Sequence, residues 1–192
     1  MMMRVPNRRI PLMLLCLLTA GLLTSCGGGS DFSGDPEIPD GYKTYDADGV
    51  SFAYPGDWQV ARRTDQEGAP VVEITPPDKS KTPYGLISVL VSPKAGDRFE
   101  SLVDQSRIVV RDVNNGKIDS DESVEIPGAK KALRSTATVP ADQGSDPVEV
   151  KSDNLDLVRD NDDVVNLTVA APQRDGQDFD PAAVVDSFRL KD

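Results

Sequence analysis

Acidic side chains are the only plentiful acid–base groups in this sequence. The chain carries 32 Asp and Glu residues and no histidine. The missing imidazole excludes a Ser-His-Asp triad, a histidine general base and histidine ligation of zinc. Carboxylate pairs remain able to act on glycans. That chemistry needs two acids facing one cleft, about 5 to 9 Å apart, with one pKa raised. With so many acids some pair always falls close, so abundance alone points nowhere. Ser80-Lys81 lies in a Pro- and Lys-rich stretch without a supporting motif. Asp46, Asp48 and Gly49 spell D-x-D-G, part of a calcium loop, but the further oxygen ligands and closing glutamate of a full loop are missing. Asp160, Asp162 and Asp163 form a denser acidic cluster that would hold a divalent ion weakly at best. Turn chemistry explains both groups without a metal. Asn166-Leu167-Thr168 matches a glycosylation acceptor but falls inside an expected strand. No residue is therefore assigned to catalysis, to a metal or to a cofactor.

The thiols tell a different story. Cys26 closes the run Leu23-Thr24-Ser25-Cys26, which resembles the lipobox read by the lipoprotein signal peptidase. Arg4, Arg8 and Arg9 precede an apolar stretch from Ile10 to Leu23, and no acid appears before Asp31. That stretch is too short for a membrane span, which needs about 18 residues or more, and fits a signal peptide. The expectation is that residues 1–25 are removed and that Cys26 takes diacylglycerol through its sulfur. Two acyl chains suffice for stable anchoring where one does not. The protein would then sit on the extracytoplasmic face of the cell membrane. Arg8-Arg9 followed by this sequence fits twin-arginine export poorly, so general secretion is expected. An ordinary signal peptide with a chance cysteine, or an uncleaved anchor, is the plain alternative.

Removing the three leader arginines takes the formal charge from −11 to −14. Such a surface repels nucleic acid and anionic headgroups, so no nucleic-acid partner is expected. Cys16 leaves with the leader and Cys26 is acylated, so the folded part has no disulfide. Its core alone must hold it. About 150 residues suffice for one domain that buries roughly 70% of its unfolded surface.

Several elements would have to position any site. Residues 26–40, rich in Gly, Ser, Pro and Asp, read as a flexible tether of about 20 Å root-mean-square span. The domain is placed at 41–192. Val50, Phe52 and Tyr54 alternate as in a half-buried strand, between turn signals at Asp48-Gly49 and Pro55-Gly56-Asp57. Strands follow at 58–63 and 71–75, and the apolar run 86–91 is placed centrally, buried on both faces. Apolar positions from Phe99 to Val113 recur at three- and four-residue steps and predict a helix over 97–113, stopped by Asn114-Asn115-Gly116. Val124 and Ile126 precede a Pro127-Gly128 turn, and a strand is expected over 131–139. Val148 and Val150 lie on one parity but Leu155 and Leu157 on the other, which predicts a bulge or break near 152–154. Residues 159–163 form a turn into an alternating strand over 165–171. Asp180-Pro181 reads as an N-cap and first helical residue, with Phe179 and Val184 placed to staple it.

The segment Gly49-Val50-Ser51-Phe52-Ala53-Tyr54-Pro55-Gly56-Asp57-Trp58 resembles the opening of PsbP-like domains, a group that includes LpqN-type actinobacterial lipoproteins. The closing Val184-Val185-Asp186-Ser187-Phe188 helix fits as well, so the likeness spans roughly residues 42–190. It implies an α+β fold, an α-β-α sandwich with a twisted, mostly antiparallel sheet flanked by two main helices. Tyr54 and Trp58 are read as core anchors. Members of the group mostly bind or help assemble other proteins, and no shared catalytic motif carries over. The resulting expectation is a membrane-anchored, non-enzymatic module that binds a protein or cell-envelope partner. A carboxylate-based glycan hydrolase and an accessory subunit of a transporter or sensor are the alternatives.

Overall fold

The computed structural model describes residues 32–65, 68–79, 84–141, 148–173 and 179–191. The lipobox, both cysteines and Ser80-Lys81 lie outside these residues. Turn chemistry sets the first pairing. Asp48 and Gly49 have φ of 57° and 71°, the left-handed values that a two-residue hairpin turn demands. They join β1 (Tyr42–Ala47) to β2 (Val50–Pro55) in an antiparallel pair, Tyr45 opposite Phe52. A short β10 (Arg189–Leu190) closes the other edge of β2 and completes a three-stranded sheet.

The remaining strands build a second, seven-stranded sheet. They are β3 (Gln59–Thr64), β4 (Pro70–Thr75), β5 (Leu86–Ser92), β6 (Lys117–Ser123), β7 (Ala129–Ala141), β8 (Val148–Arg159) and β9 (Val164–Pro172). Their spatial order is β3-β4-β5-β9-β8-β7-β6, with every pair antiparallel. Between β5 and β6 the chain makes helix α1 (Phe99–Ile108), which runs on into a π turn over Val109–Val113. Asn114 N–H reaches back to the Val109 carbonyl at 3.0 Å, a five-residue step. Helix α2 (Pro181–Asp186) starts as the sequence predicts: the Asp180 carboxylate accepts from Ala182 N–H at 3.0 Å, and proline takes the first turn.

Strand parity assigns the two faces. Leu155, Leu157, Val165, Leu167 and Val169 point to one side, where Val184, Val185, Phe188, Phe52 and Val50 complete the main core. Each fully buried side chain of this size contributes about 1.5 to 3 kcal/mol. Val158 and Val164 point to the other side, where Ala95, Phe99 and Val103 form a smaller core under the start of α1. Trp58 lies against Phe179, ring centroids 4.6 Å apart, and a Cβ on Gly85 would fall 2.4 Å from the indole. Glycine there makes room for the ring.

The expected α-β-α sandwich is overturned. Among the described residues the molecule is mostly β, ten strands in two antiparallel sheets, with only two α-helices. The reason is coverage. At six residues α2 is too short to shield its face, and the β1–β2 hairpin does most of that work through Val50 and Phe52. The bulge expected near 152–154 is absent too. Pairing of β8 with β7 and β9 runs unbroken through Ser152, Asp153 and Asn154. Nor is β5 sealed on both sides: Ile87, Val89 and Val91 are buried, while Leu86, Ser88 and Leu90 are only partly covered. Within the segment read as tether, Phe32 is 2% exposed in the main core, while most of residues 33–40 are exposed.

Candidate functional site

The face of the large sheet beneath α1 is unusual for a central surface. A sheet that receives an amphipathic helix ordinarily presents aliphatic side chains to it. Here the central strands present Ser152, Asn154 and Asp156 from β8, Asn166 and Thr168 from β9, and Ser135 from β7. Small polar groups cannot fill the space under a helix, and a cavity of about 660 Å³ opens between α1 and the sheet. Leu102, Val103, Val109 and Val110 roof it, and Ile118, Val139 and Val150 line one end.

Register orders the floor into rows. Asp156 lies opposite Asn166, Asn154 opposite Thr168, Ser152 opposite Ala170, and Val150 opposite Pro172. On the β7 side Asn154 faces Ser135, Ser152 faces Ala137, and Val150 faces Val139. The floor thus grades from polar to apolar along about 20 Å of strand. At the apolar end Gly116 packs so tightly that a Cβ would fall 2.8 Å from Val139 and 2.9 Å from the Val110 carbonyl. This contact ties the π turn to β7. Above that end Val109 and Val113 are 47% and 67% exposed, and Ile108 beside them 48%.

Asp156 is the group most out of place. It is 6% exposed, and among the described residues its one hydrogen bond comes from Asn166 Nδ2 at 2.7 Å. Asn166 in turn accepts from Thr168 Oγ1 at 3.1 Å, which fixes the amide orientation. Burial pushes the Asp156 carboxyl above its ordinary value. The Asn166 hydrogen bond and the charge of Arg107 pull it back only in part, and Asp121 adds to the rise. Arg107 lines the cavity but is engaged elsewhere, with Asp104 at 3.0 Å and with Asp121.

Asp153, three residues earlier, faces the opposite side of the sheet. There Arg134 grips it, Nε to Oδ1 at 2.9 Å, while Arg134 Nη1 reaches Asp186 at 2.8 Å. Burial pulls the Arg134 pKa down, and the two carboxylates more than reverse this. Asp153 is thus a structural ion pair, which Asp156 is not.

The residues singled out from sequence fall elsewhere. Asp48 accepts from the Tyr45 hydroxyl at 2.5 Å and lies 3.5 Å from Arg62, while Asp46 lies 3.9 Å from Lys191. Asp162 pairs with Lys130 at 2.7 Å, and Asp163 accepts from Lys94 N–H and from Asn161. These are turn and surface contacts. The described residues hold no group of three or more His, Cys, Asp or Glu placed to bind a metal ion. Asn166 and Thr168, met only as a glycosylation match, instead line the cavity floor. A second hollow of about 730 Å³ lies by the β6–β7 link. Phe32 borders it, and among the described residues no buried polar side chain lines it.

Compared with known proteins, the chain matches no family model and no curated protein.

Proposed function

We propose that this is a membrane-tethered, non-enzymatic binding module that takes up an amphiphilic cell-envelope molecule between α1 and the large sheet. The cavity carries this reading. Its volume falls within the 300–1,000 Å³ usual for small-molecule sites, and aliphatic side chains of the roof and one end face a polar floor. Of the residues that line it, Asp156 alone is acidic. Hydrolysis by a carboxylate pair would need a second acid, so the lining favours binding. Diacylglycerol on Cys26 would hold the domain beside the membrane. About five residues separate Cys26 from the buried Phe32, a reach of roughly 20 Å when extended.

Fluorescence of a neutral apolar probe, N-phenyl-1-naphthylamine, tests this on the mature chain with Cys26→Ser, so that no acyl group competes. Saturable enhancement is expected. Ala170→Phe, which places a ring on the cavity floor, should abolish it while leaving the circular dichroism unchanged. A wild-type chain that gives no saturable signal, or an A170F chain that gives the full one, would refute the proposal.

A further inference from the structure

The cavity is chemically polarised, and its polarity has a sign. At one end a nearly buried carboxylate, Asp156, holds a single hydrogen bond from a neutral amide. The cation that lines the cavity, Arg107, is committed to Asp104 and Asp121 at the rim. At the other end lie Val139 and Val150, beneath Val109. A buried carboxylate with no ion pair of its own is costly, and it becomes favourable when a hydrogen-bond donor of opposite charge arrives. Asn166 cannot serve as that partner, because its carbonyl already accepts from Thr168 and its amide brings no net charge.

Resting on the cavity reading above, we propose that the occupant is a cationic amphiphile. Its amine or ammonium head meets Asp156, and its apolar chain runs along the floor toward Val139 and Val150. Asp156 is then the residue that determines specificity. An anionic head is rejected, because it would face a carboxylate in a site shielded from water. A neutral hydroxylated head is accepted more weakly, because it donates without neutralising. The raised pKa of Asp156 agrees with this, since a carboxyl that gives up its proton reluctantly in the empty site gives it up readily beside an ammonium.

Three decyl amphiphiles of equal chain length separate the outcomes: decylammonium, decyl glucoside and decanoate. Each competes against N-phenyl-1-naphthylamine at pH 7, below its micelle-forming concentration. Decylammonium should bind about 10- to 100-fold tighter than the glucoside, as a charge-assisted hydrogen bond predicts, and decanoate weakest. Asp156→Asn keeps the acceptor for Asn166 and should bring decylammonium within about threefold of the glucoside. Asp57→Asn removes the same charge from the exposed surface and should leave the order intact. Preference for the glucoside or decanoate, or an ammonium preference that survives in D156N, would overturn the assignment while probe binding still upheld the cavity. Failure of the probe to bind any variant would overturn both.

Discussion

Replacing Arg134 by methionine should cost about 3 to 5 kcal/mol of stability. The figure comes from what the change leaves behind. The Arg134 and Asp153 side chains are 11% and 5% exposed, so removing the guanidinium strands a carboxylate that water cannot reach. Asp186, the other partner, is 51% exposed and rehydrates readily, so Asp186→Asn should cost about 1 kcal/mol or less. Removing both buried charges together, Arg134→Met with Asp153→Leu, should recover most of the loss, because the burial penalty leaves with the pair. The protein carries one tryptophan, Trp58, held against Phe179, which reports unfolding in urea directly. With a slope of about 2 kcal/mol per molar, the single variant should lower the urea midpoint by about 2 M. A shift under about 0.5 M for R134M, or a double variant as weak as the single, would show that Asp153 is not the buried, arginine-dependent charge described.

Three further outcomes follow from the same contacts. Asp156 holds its proton to higher pH when folded than the unfolded value of about 3.9. The native state therefore binds more protons across that window, and this group's contribution to stability falls as pH rises through it. The stability advantage of D156N over wild type should accordingly grow from pH 3.5 upward and then level off; a constant difference would contradict the burial of this carboxyl. Phe32→Ala should cost about 3 kcal/mol or more, since the ring is 2% exposed, and calorimetry would detect it; an unchanged melting temperature would show that the ring does not pack in the core. Gly85→Ala should destabilise by about 1 to 3 kcal/mol and displace Trp58 from Phe179, read as a shifted emission maximum; an unshifted spectrum would place the indole elsewhere.

Legibility of the fold in the sequence depends on apolar alternation and on turn signals. β2, β4, β5, β7 and β9 carry apolar residues at the strand period and match the expected ranges within a few residues, as does β3, which is exposed throughout. β6 is not legible in the sequence, because Lys-Ile-Asp-Ser-Asp-Glu-Ser has a single aliphatic residue and almost every position is exposed. It is an edge strand held by its ladder to β7 and by polar contacts such as Ser120 with Thr136 and Lys117 with Asp119. Charge on an edge strand blocks pairing with other chains, and the same charge hides the strand from a search for hydrophobic alternation. β1 escaped for a similar reason: of its six residues only Tyr45 is buried. Without β1 the sequence does not reveal the second sheet, and the face that sheet covers reads as covered by a helix.

The site was hidden inside a correct observation. The parity change along β8 suggests a slip in the backbone, since alternation is ordinarily broken by a bulge. The backbone does not slip. Instead the strand spans two environments: Leu155 and Leu157 fill the core beneath α2, while Val150 on the opposite parity lines the apolar end of the cavity. Asp156, between two buried leucines, holds a position that faces solvent when an amphipathic strand is covered on one side only. Asn154, Ser152, Asn166 and Thr168 repeated that pattern on the same face. The signal lay in the combination, because β8 and β9 are central strands and a predicted helix had to cover this side. A polar floor under an apolar helix leaves either unsatisfied groups or empty space, and here it leaves a cavity with one carboxylate facing it.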